Sequence, residues 1–266
     1  MNQSRPKVIV VIPLYTTNLS PEELQAFEHN VRILGPRQLI AVVCPDTLDL
    51  TPFDSVLGTA ETSIERFPIE NFAGVAGYNR MMLSEAFYTR FERYRHLLLC
   101  QTDAFVFSDR LDEWCSRDYD YIGAPWIASP RSALNRALFR FNNLFRRKKK
   151  SDEYLFKVGN GGFSLRKVDT MRRIVSEQRK DIDYALAHPD DSDRHIEDRY
   201  ISLVAPTKLT MRIPEYHEAV DFCIDRRPAL ALRLNDCRLP FACHGFNKPN
   251  VRAFWQPILQ AHRDIR

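Results

Sequence analysis

The chain has 266 residues, and a hydrophobic content of 44% with 17 Phe, 10 Tyr and 3 Trp supplies enough apolar side chains for a large core. This composition excludes a disordered chain and a small disulfide-rich scaffold. The net charge of +4 is concentrated in the segment 131–150, which carries eight Lys and Arg and no acid. The other 246 residues hold 30 basic and 34 acidic side chains, so a broad nucleic-acid-binding face is excluded.

The first hundred residues alternate between apolar, β-branched runs and helical patterns. Buried parallel strands are predicted at 7–15, 38–45, 63–68 and 96–100. Ser20, Pro21 and Glu23 form the N-terminal signature of a helix that Gly35 ends, and a long helix is predicted over 75–91. This alternation is typical of a doubly wound α/β fold, in which ligands bind at the carboxyl ends of the strands.

The second half is less regular, and no linker separates it from the first. Its predicted elements are a helix at 109–115, strands at 119–123 and 163–166, and helices near 168–178 and 193–202. We predict one α/β domain over 1–266, with a mostly parallel central sheet flanked by helices and a smaller irregular β region in the C-terminal half. Residues 1–107 would form a nucleotide-binding half, and 108–266 a donor-sugar and acceptor half with a basic insertion at 131–150.

The six cysteines form no Cys-x-x-Cys motif, and the apolar run 8–14 is too short for a signal peptide or a membrane span. We therefore expect reduced, mostly buried thiols and a cytoplasmic location.

Two features suggest a site. Asp103 follows the apolar strand 96–100, which would place a carboxylate at a ligand-binding edge of the sheet; a turn or capping aspartate is the alternative. Only nine glycines occur in the chain, and three of them lie in the four residues 159–162. Glycine lets a backbone approach a ligand closely, although a tight hairpin would use it equally well.

Five sequence blocks carry a resemblance to a known family. They are Gln101-x-Asp103, 119–126 (YDYIGAPW), 159–166 (GNGGFSLR), Glu197-Asp198 and 244–246 (HGF). In this order they resemble GT-A-fold glycosyltransferases, and more closely an uncharacterised, mostly bacterial glycosyltransferase-like family. The resemblance implies a GT-A-like fold and transfer of a sugar from a nucleotide-diphosphate-sugar donor to a glycan acceptor, with inversion.

The resemblance also implies a divalent cation, manganese or magnesium, that would stabilise the departing diphosphate. Its ligands would be Asp103 and His244. The Asp-x-Asp motif of the fold reads Gln101-Thr102-Asp103 here, so a neutral amide replaces the first carboxylate. A purely structural role for His244 stays open.

An inverting transferase needs a carboxylate to take the proton from the acceptor hydroxyl. Asp198 is the first choice for this base and Glu197 the second, against the alternative of a solvated acidic helix start. The predicted donor site comprises Pro13, Tyr15, Tyr78, Asn79, Arg80, Gln101, Asp103, Gly161 and Gly162, and the acceptor residues are Trp126 and Asn160. Base stacking is expected of the two tyrosines. The alternatives are core aromatics at 15 and 78 and a buried indole at 126.

Apolar residues in the basic segment recur at spacings of 4, 3 and 4, at Leu134, Leu138, Phe141 and Phe145. This pattern suits a helix on an anionic membrane surface, and a mobile insertion loop is the alternative. The membrane interpretation predicts a peripheral protein on the inner face of the membrane with a lipid-linked acceptor, as in cell-surface polysaccharide biosynthesis. Two other functions stay open: an inactive nucleotide-sugar-binding relative, and a membrane-associated assembly protein.

Overall fold

The computed structural model describes residues 7–127 and 154–263. The basic segment 131–150 lies outside the described residues, and so does the membrane-binding helix predicted there.

The strands form two sheets. In chain order they are β1 (Val8–Pro13), β2 (Ile40–Pro45), β3 (Thr62–Phe67), β4 (His96–Cys100), β5 (Ala104–Val106), β6 (Tyr121–Gly123), β7 (Phe163–Lys167), β8 (Cys223–Ile224) and β9 (Ala242–His244). The larger sheet has the order β3-β2-β1-β4-β7-β6, and the smaller has the order β5-β9-β8. Strands β1 to β4 pair in parallel, whereas β7 runs antiparallel to both β4 and β6.

Helices connect and cover the strands. They are α1 (Pro21–Leu34), α2 (Asp54–Leu57), α3 (Gly74–Met82), α4 (Glu85–Arg90), α5 (Leu111–Ser116), α6 (Val168–Glu177), α7 (Arg179–Ala187), α8 (Glu197–Arg199), α9 (Tyr216–Phe222), α10 (Pro228–Leu234) and α11 (Arg252–Arg263). Within the described ranges, no helix is both long enough and apolar enough to cross a bilayer.

The apolar runs read from the sequence form the centre of the larger sheet. Every residue of β1, β2 and β4 is buried, because these strands have neighbours on both sides and helices on both faces. The predicted capping box of α1 is present: Ser20 and Glu23 satisfy each other's backbone N–H groups. Five cysteines are buried and only Cys237 is exposed, and all six are free thiols, so the prediction for the cysteines is confirmed.

Two predicted helices differ from the structure. The helix expected over 75–91 is two helices, because Ser84 takes an extended conformation and its side chain accepts the N–H of Phe87 to cap α4. The helix expected near 193–202 is a 3₁₀ turn at Asp193–His195, the single turn α8 and a π-helix at Tyr200–Val204.

Candidate functional site

Backbone hydrogen bonds bring three distant segments together beyond the end of β4. The N–H of Gln101 donates to the carbonyl of Gly162 at 2.8 Å, and the N–H of Gly245 donates to the carbonyl of Asp103 at 2.8 Å. The residue after β4, the glycine-rich segment before β7 and the residue after β9 are thereby held side by side. The three segments therefore meet at the carboxyl edge of the parallel strands, the edge at which a site was predicted.

His244 lies at the centre of this cluster. Its Nε2 atom is 3.0 Å from Oδ1 of Asp103 and 3.2 Å from Oε1 of Gln101, and its Nδ1 atom is 3.2 Å from Oδ1 of Asp225. Burial alone would lower the pKa of His244, but the carboxylates of Asp103 and Asp225 outweigh burial and raise it to about 9. At neutral pH the imidazolium therefore donates from both ring nitrogens.

The two carboxylates respond in the opposite direction. Burial would raise the pKa of Asp103 and of Asp225, but the charge of His244 and the hydrogen bonds from it hold both below their usual range. Lys248 adds to this effect, since its Nζ atom lies 3.2 Å from Oδ1 of Asp225. Both carboxylates are therefore ionised at neutral pH.

The glycine-rich segment makes room for site side chains. A Cβ at Gly162 would overlap Nε2 of His244 and lie 2.6 Å from Oε1 of Gln101, and a Cβ at Gly161 would overlap Oε1 of Glu197. The sequence suggested that these glycines admit a ligand. In the structure the space that their missing side chains leave is filled by the imidazole and the carboxylate.

Glu197 is held in a buried ion pair. Arg166, which is fully buried, places Nη2 3.1 Å from Oε2 of Glu197 and donates from Nη1 to the hydroxyl of Tyr88 at 2.9 Å. Asn79 accepts the backbone N–H of Glu197 through Oδ1 at 3.1 Å. Burial raises the pKa of Glu197 to about 7, although the charge of Arg166 opposes the shift. These contacts fix Glu197 in place.

Asp198 has fewer partners than its neighbour. Its Oδ2 atom accepts the N–H of Asn160 at 3.0 Å, while its Oδ1 atom is covered and has no hydrogen-bond partner. Asn160 has a left-handed backbone with φ of 63°, and its own Oδ1 accepts the N–H of Gly162 at 3.1 Å. Burial raises the pKa of Asp198. Asn160, predicted as an acceptor residue, thus joins Asp198 to the glycine-rich segment.

Two tyrosines border the cluster beyond the end of β1. The ring of Tyr15 is 40% exposed, and its hydroxyl accepts a hydrogen bond from Nε2 of Gln101 at 3.3 Å. Tyr78 meets Tyr15 edge to face, with 6.4 Å between ring centroids. Pro13 is the buried last residue of β1. Tyr15 is therefore the aromatic that a planar ligand can reach.

Two predicted residues remain, Arg80 and Trp126. Arg80 is exposed on α3, and no contact in the described residues ties it to the cluster. Trp126 is only 5% exposed: its indole lies where a Cβ of Gly159 would be, and it packs against Tyr154 with 5.4 Å between ring centroids. The buried alternative is therefore the one observed at Trp126.

The residues around His244 fit a divalent cation in part. Asp103 and His244 present an oxygen and a nitrogen 3.0 Å apart, and the amide oxygen of Gln101 adjoins them. In the described residues, no group of three or more His, Cys, Asp or Glu side chains is placed to hold a metal ion. Two protein ligands would leave coordination positions for diphosphate oxygens, an arrangement common for magnesium.

Comparison with known proteins identifies the family. A family model described as "Protein of unknown function (DUF5672)" matches residues 61–244, more than half of the chain. The chain belongs to the DUF5672 family. No curated protein matches its sequence.

Solved structures establish the fold of this DUF5672 member. Mouse xyloside xylosyltransferase 1, in its apo form, superposes with a TM-score of 0.57 at 8% identity, covering 92% of this chain and 99% of that chain. Core-mannan synthase A from Aspergillus fumigatus, in a Mn/GDP form, gives a TM-score of 0.45 at 12% identity, covering 82% and 74%. The predicted GT-A-like α/β fold is confirmed by the first similarity, which at this identity establishes the fold alone.

Three residues of the DUF5672 site were not selected from the sequence. Arg166 ends the block 159–166, but nothing in the sequence around an arginine on a short strand indicates that its side chain is buried. Asp225 follows the two-residue strand β8, which is too short to give a pattern. Lys248 comes four residues after His244 and only the fold brings it to Asp225. The available signal was an acid directly after the apolar pair Cys223-Ile224.

Proposed function

We propose that this protein is a glycosyltransferase that moves a sugar from a nucleotide-diphosphate-sugar donor to a glycan acceptor. One observation carries the proposal: adjacent glycines, Gly161 and Gly162, bring the Glu197–Asp198 carboxylates and the Asp103–His244 pair to one place beyond the end of β4. Inverting glycosyl transfer needs two functions side by side, one that neutralises a leaving diphosphate and one that accepts a proton.

The donor would lie between the exposed ring of Tyr15 and Asp103. Stacking of a nucleotide base on an aromatic ring contributes roughly 1–3 kcal/mol, and Tyr15 is the exposed aromatic beside Gln101. Asp103 and His244 would hold the divalent cation, which supplies positive charge to the departing diphosphate. Lys248, half-exposed beside Asp225, would add a second positive charge on the same side.

Asp198 is the proposed general base. Its carboxylate would take the proton of the acceptor hydroxyl as that oxygen attacks the anomeric carbon, the bond to the diphosphate breaks and the configuration inverts. Burial raises the pKa of this carboxyl, and a higher pKa makes the carboxylate a stronger base. Glu197, locked against Arg166 and Asn79, would instead hold the backbone of Asp198 in place.

The acceptor is proposed to be a glycan carried on a lipid, with the enzyme on the inner face of the membrane. This part of the proposal rests on the basic, amphipathic pattern of 131–150 in the sequence. Liposome flotation tests it: a variant that lacks 131–150 should lose its binding to vesicles rich in phosphatidylglycerol. Unchanged flotation would contradict it.

Release of nucleoside diphosphate from a panel of nucleotide sugars tests the reaction. We expect slow donor hydrolysis by the wild type, its loss in Asp103→Asn, and a fall of about 10²-fold or more in transfer by Asp198→Asn with donor binding retained. Asp190→Asn is the matched control, because Asp190 is exposed in the same acidic stretch. Equal turnover by Asp198→Asn and Asp190→Asn would contradict the assignment of the base.

One observation favours a second candidate, a nucleotide-sugar-binding protein without transferase activity. Gln101 occupies the first position of the Asp-x-Asp motif, and its amide bridges Tyr15 and His244 as a structural element. A thermal-shift panel of nucleotide sugars with and without manganese separates the candidates, since a ligand that binds only the native state raises the melting temperature. Stabilisation by a donor without turnover of that donor would favour the binding protein.

A further inference from the structure

Asp225 is a buried carboxylate that the proposed reaction leaves unassigned. It directly follows β8, which runs parallel to β9 with Ile224 opposite Cys243, so Asp225 and His244 are the next residues along neighbouring strands. Only 4% of Asp225 is exposed. Burying a carboxylate is costly unless it is paired, and Asp225 is paired with the imidazole of His244.

The contacts of Asp225 determine how His244 is presented. Oδ1 of Asp225 lies 3.2 Å from Nδ1 of His244, and an ionised carboxylate can only accept a hydrogen bond. Nδ1 therefore keeps its proton toward Asp225, and Nε2 is the nitrogen directed toward Asp103 and Gln101, at 3.0 and 3.2 Å. A cation at this place would replace the second proton of the imidazolium, the one on Nε2. A histidine that binds a metal through one nitrogen usually donates its other N–H to such a carboxylate.

We propose that Asp225 is the positioning residue of a divalent-cation site, where it fixes the ring orientation and tautomer of His244 so that Nε2 and the carboxylate of Asp103 face one cation. The inference rests on the proposed function, because the cation is that of the donor site. Charge balance alone does not explain the arrangement, since Lys248, also 3.2 Å from Oδ1, supplies a countercharge to Asp225 without the imidazole.

Binding of Mn²⁺ to the purified chain without any donor tests the inference, with free Mn²⁺ measured by electron paramagnetic resonance. Asp225→Ala should weaken the Kd about 10–100-fold, and Asp225→Asn less, because the amide oxygen can still accept the Nδ1 proton. Asp221→Asn is the matched control, since Asp221 is a partly buried carboxylate paired with Arg110. It should bind Mn²⁺ as the wild type does.

A double-mutant cycle separates positioning from a general structural effect. If Asp225 acts through His244, then Asp225→Asn should cost nothing further in a His244→Ala background. Circular dichroism checks that each variant is folded. If Asp225→Ala does not fold, the Mn²⁺ affinity of Asp225→Asn alone tests the inference.

Wild-type affinity in both Asp225 variants, or an equal loss from Asp225→Asn in both backgrounds, would overturn the inference and leave the transferase proposal standing. A wild type that binds no Mn²⁺ would also overturn it, and donor turnover in a chelator would then decide the transferase proposal separately. Mn²⁺ binding that depends on Asp225, without turnover of any donor, would support the inference and count against the transferase.

Discussion

The carboxylate of Glu197 lies against the backbone of Gly161, where any larger residue would place its Cβ on Oε1 of the glutamate. At the neighbouring Gly162, a Cβ would likewise overlap Nε2 of His244. The two side chains that flank the proposed donor are therefore positioned by the absence of two Cβ atoms. This makes the glycine-rich segment a packing element of the site.

Replacing Gly161 with alanine should destabilise the protein by about 1–3 kcal/mol, because an extra methyl group cannot be accommodated beside a fixed ion pair. Chemical denaturation measures the loss. Gly58→Ala is the control, since its Cβ would meet only a carbonyl of its own turn at 3.0 Å. In a Glu197→Ala background the cost of Gly161→Ala should fall by at least about 1 kcal/mol. An unchanged cost would show that the overlap with Glu197 is not its cause.

Arg166→Met should destabilise the protein by about 3–5 kcal/mol, because it leaves Glu197 buried without its cation. The loss of stability should be smaller at pH 5.5 than at pH 8, because Glu197 can become neutral at the lower pH by taking up a proton. Burial already raises the pKa of Glu197 to about 7. Denaturation at both pH values measures the difference. Arg173→Met, which removes an exposed pair with Glu177, should cost less than about 1 kcal/mol.

The parallel core of the fold was predictable because its information is local. The apolar runs of β1, β2 and β4 and the capping box at Ser20 are each contained in a few consecutive residues, and the structure has them where expected. Ser84 shows where local patterns fail. The apolar pattern predicted one helix over 75–91, but the cap at Ser84 divides it into α3 and α4.

The site was predictable only where a residue follows a recognisable strand or lies in a recognisable block. Asp103, Glu197 and His244 met that condition. Arg166 lies in the block 159–166 but was not selected, and Asp225 lies in none of the blocks. What defines both residues is a partner elsewhere in the chain: Arg166 pairs across 31 residues with Glu197, and Asp225 across 19 residues with His244. Burial and long-range pairing appear only once the chain has folded.

His96 should make the protein sensitive to acid. It is buried at the start of β4, and burial lowers its pKa to about 4, although Asp118 at 3.6 Å opposes the shift. A histidine whose folded pKa is lowered contributes stability that is present above its unfolded pKa of about 6.5 and is lost as the pH falls toward 4.

The His96→Phe variant removes this group. As the pH falls from 7 to 4, the free energy of unfolding of the variant should rise by up to about 3 kcal/mol relative to that of the wild type. Denaturant titrations at a series of pH values measure the difference. His188→Gln, at an exposed histidine on the surface, should follow the wild-type curve. Parallel curves for His96→Phe and wild type would contradict the prediction.

Gln101→Glu should strengthen the proposed cation site. The substitution is isosteric, and both contacts of the amide can survive it: the new carboxylate can accept from Nε2 of His244, and the hydroxyl of Tyr15 can donate where it now accepts. A second negative charge beside Asp103 should tighten Mn²⁺ binding about tenfold in the absence of donor, because cation affinity rises with the number of charged oxygen ligands. Gln38→Glu adds the same charge far from the site, so it should leave the Kd unchanged. If Gln101→Glu also binds Mn²⁺ with wild-type affinity, then residue 101 does not face the cation, and the amide serves only to join Tyr15 to His244.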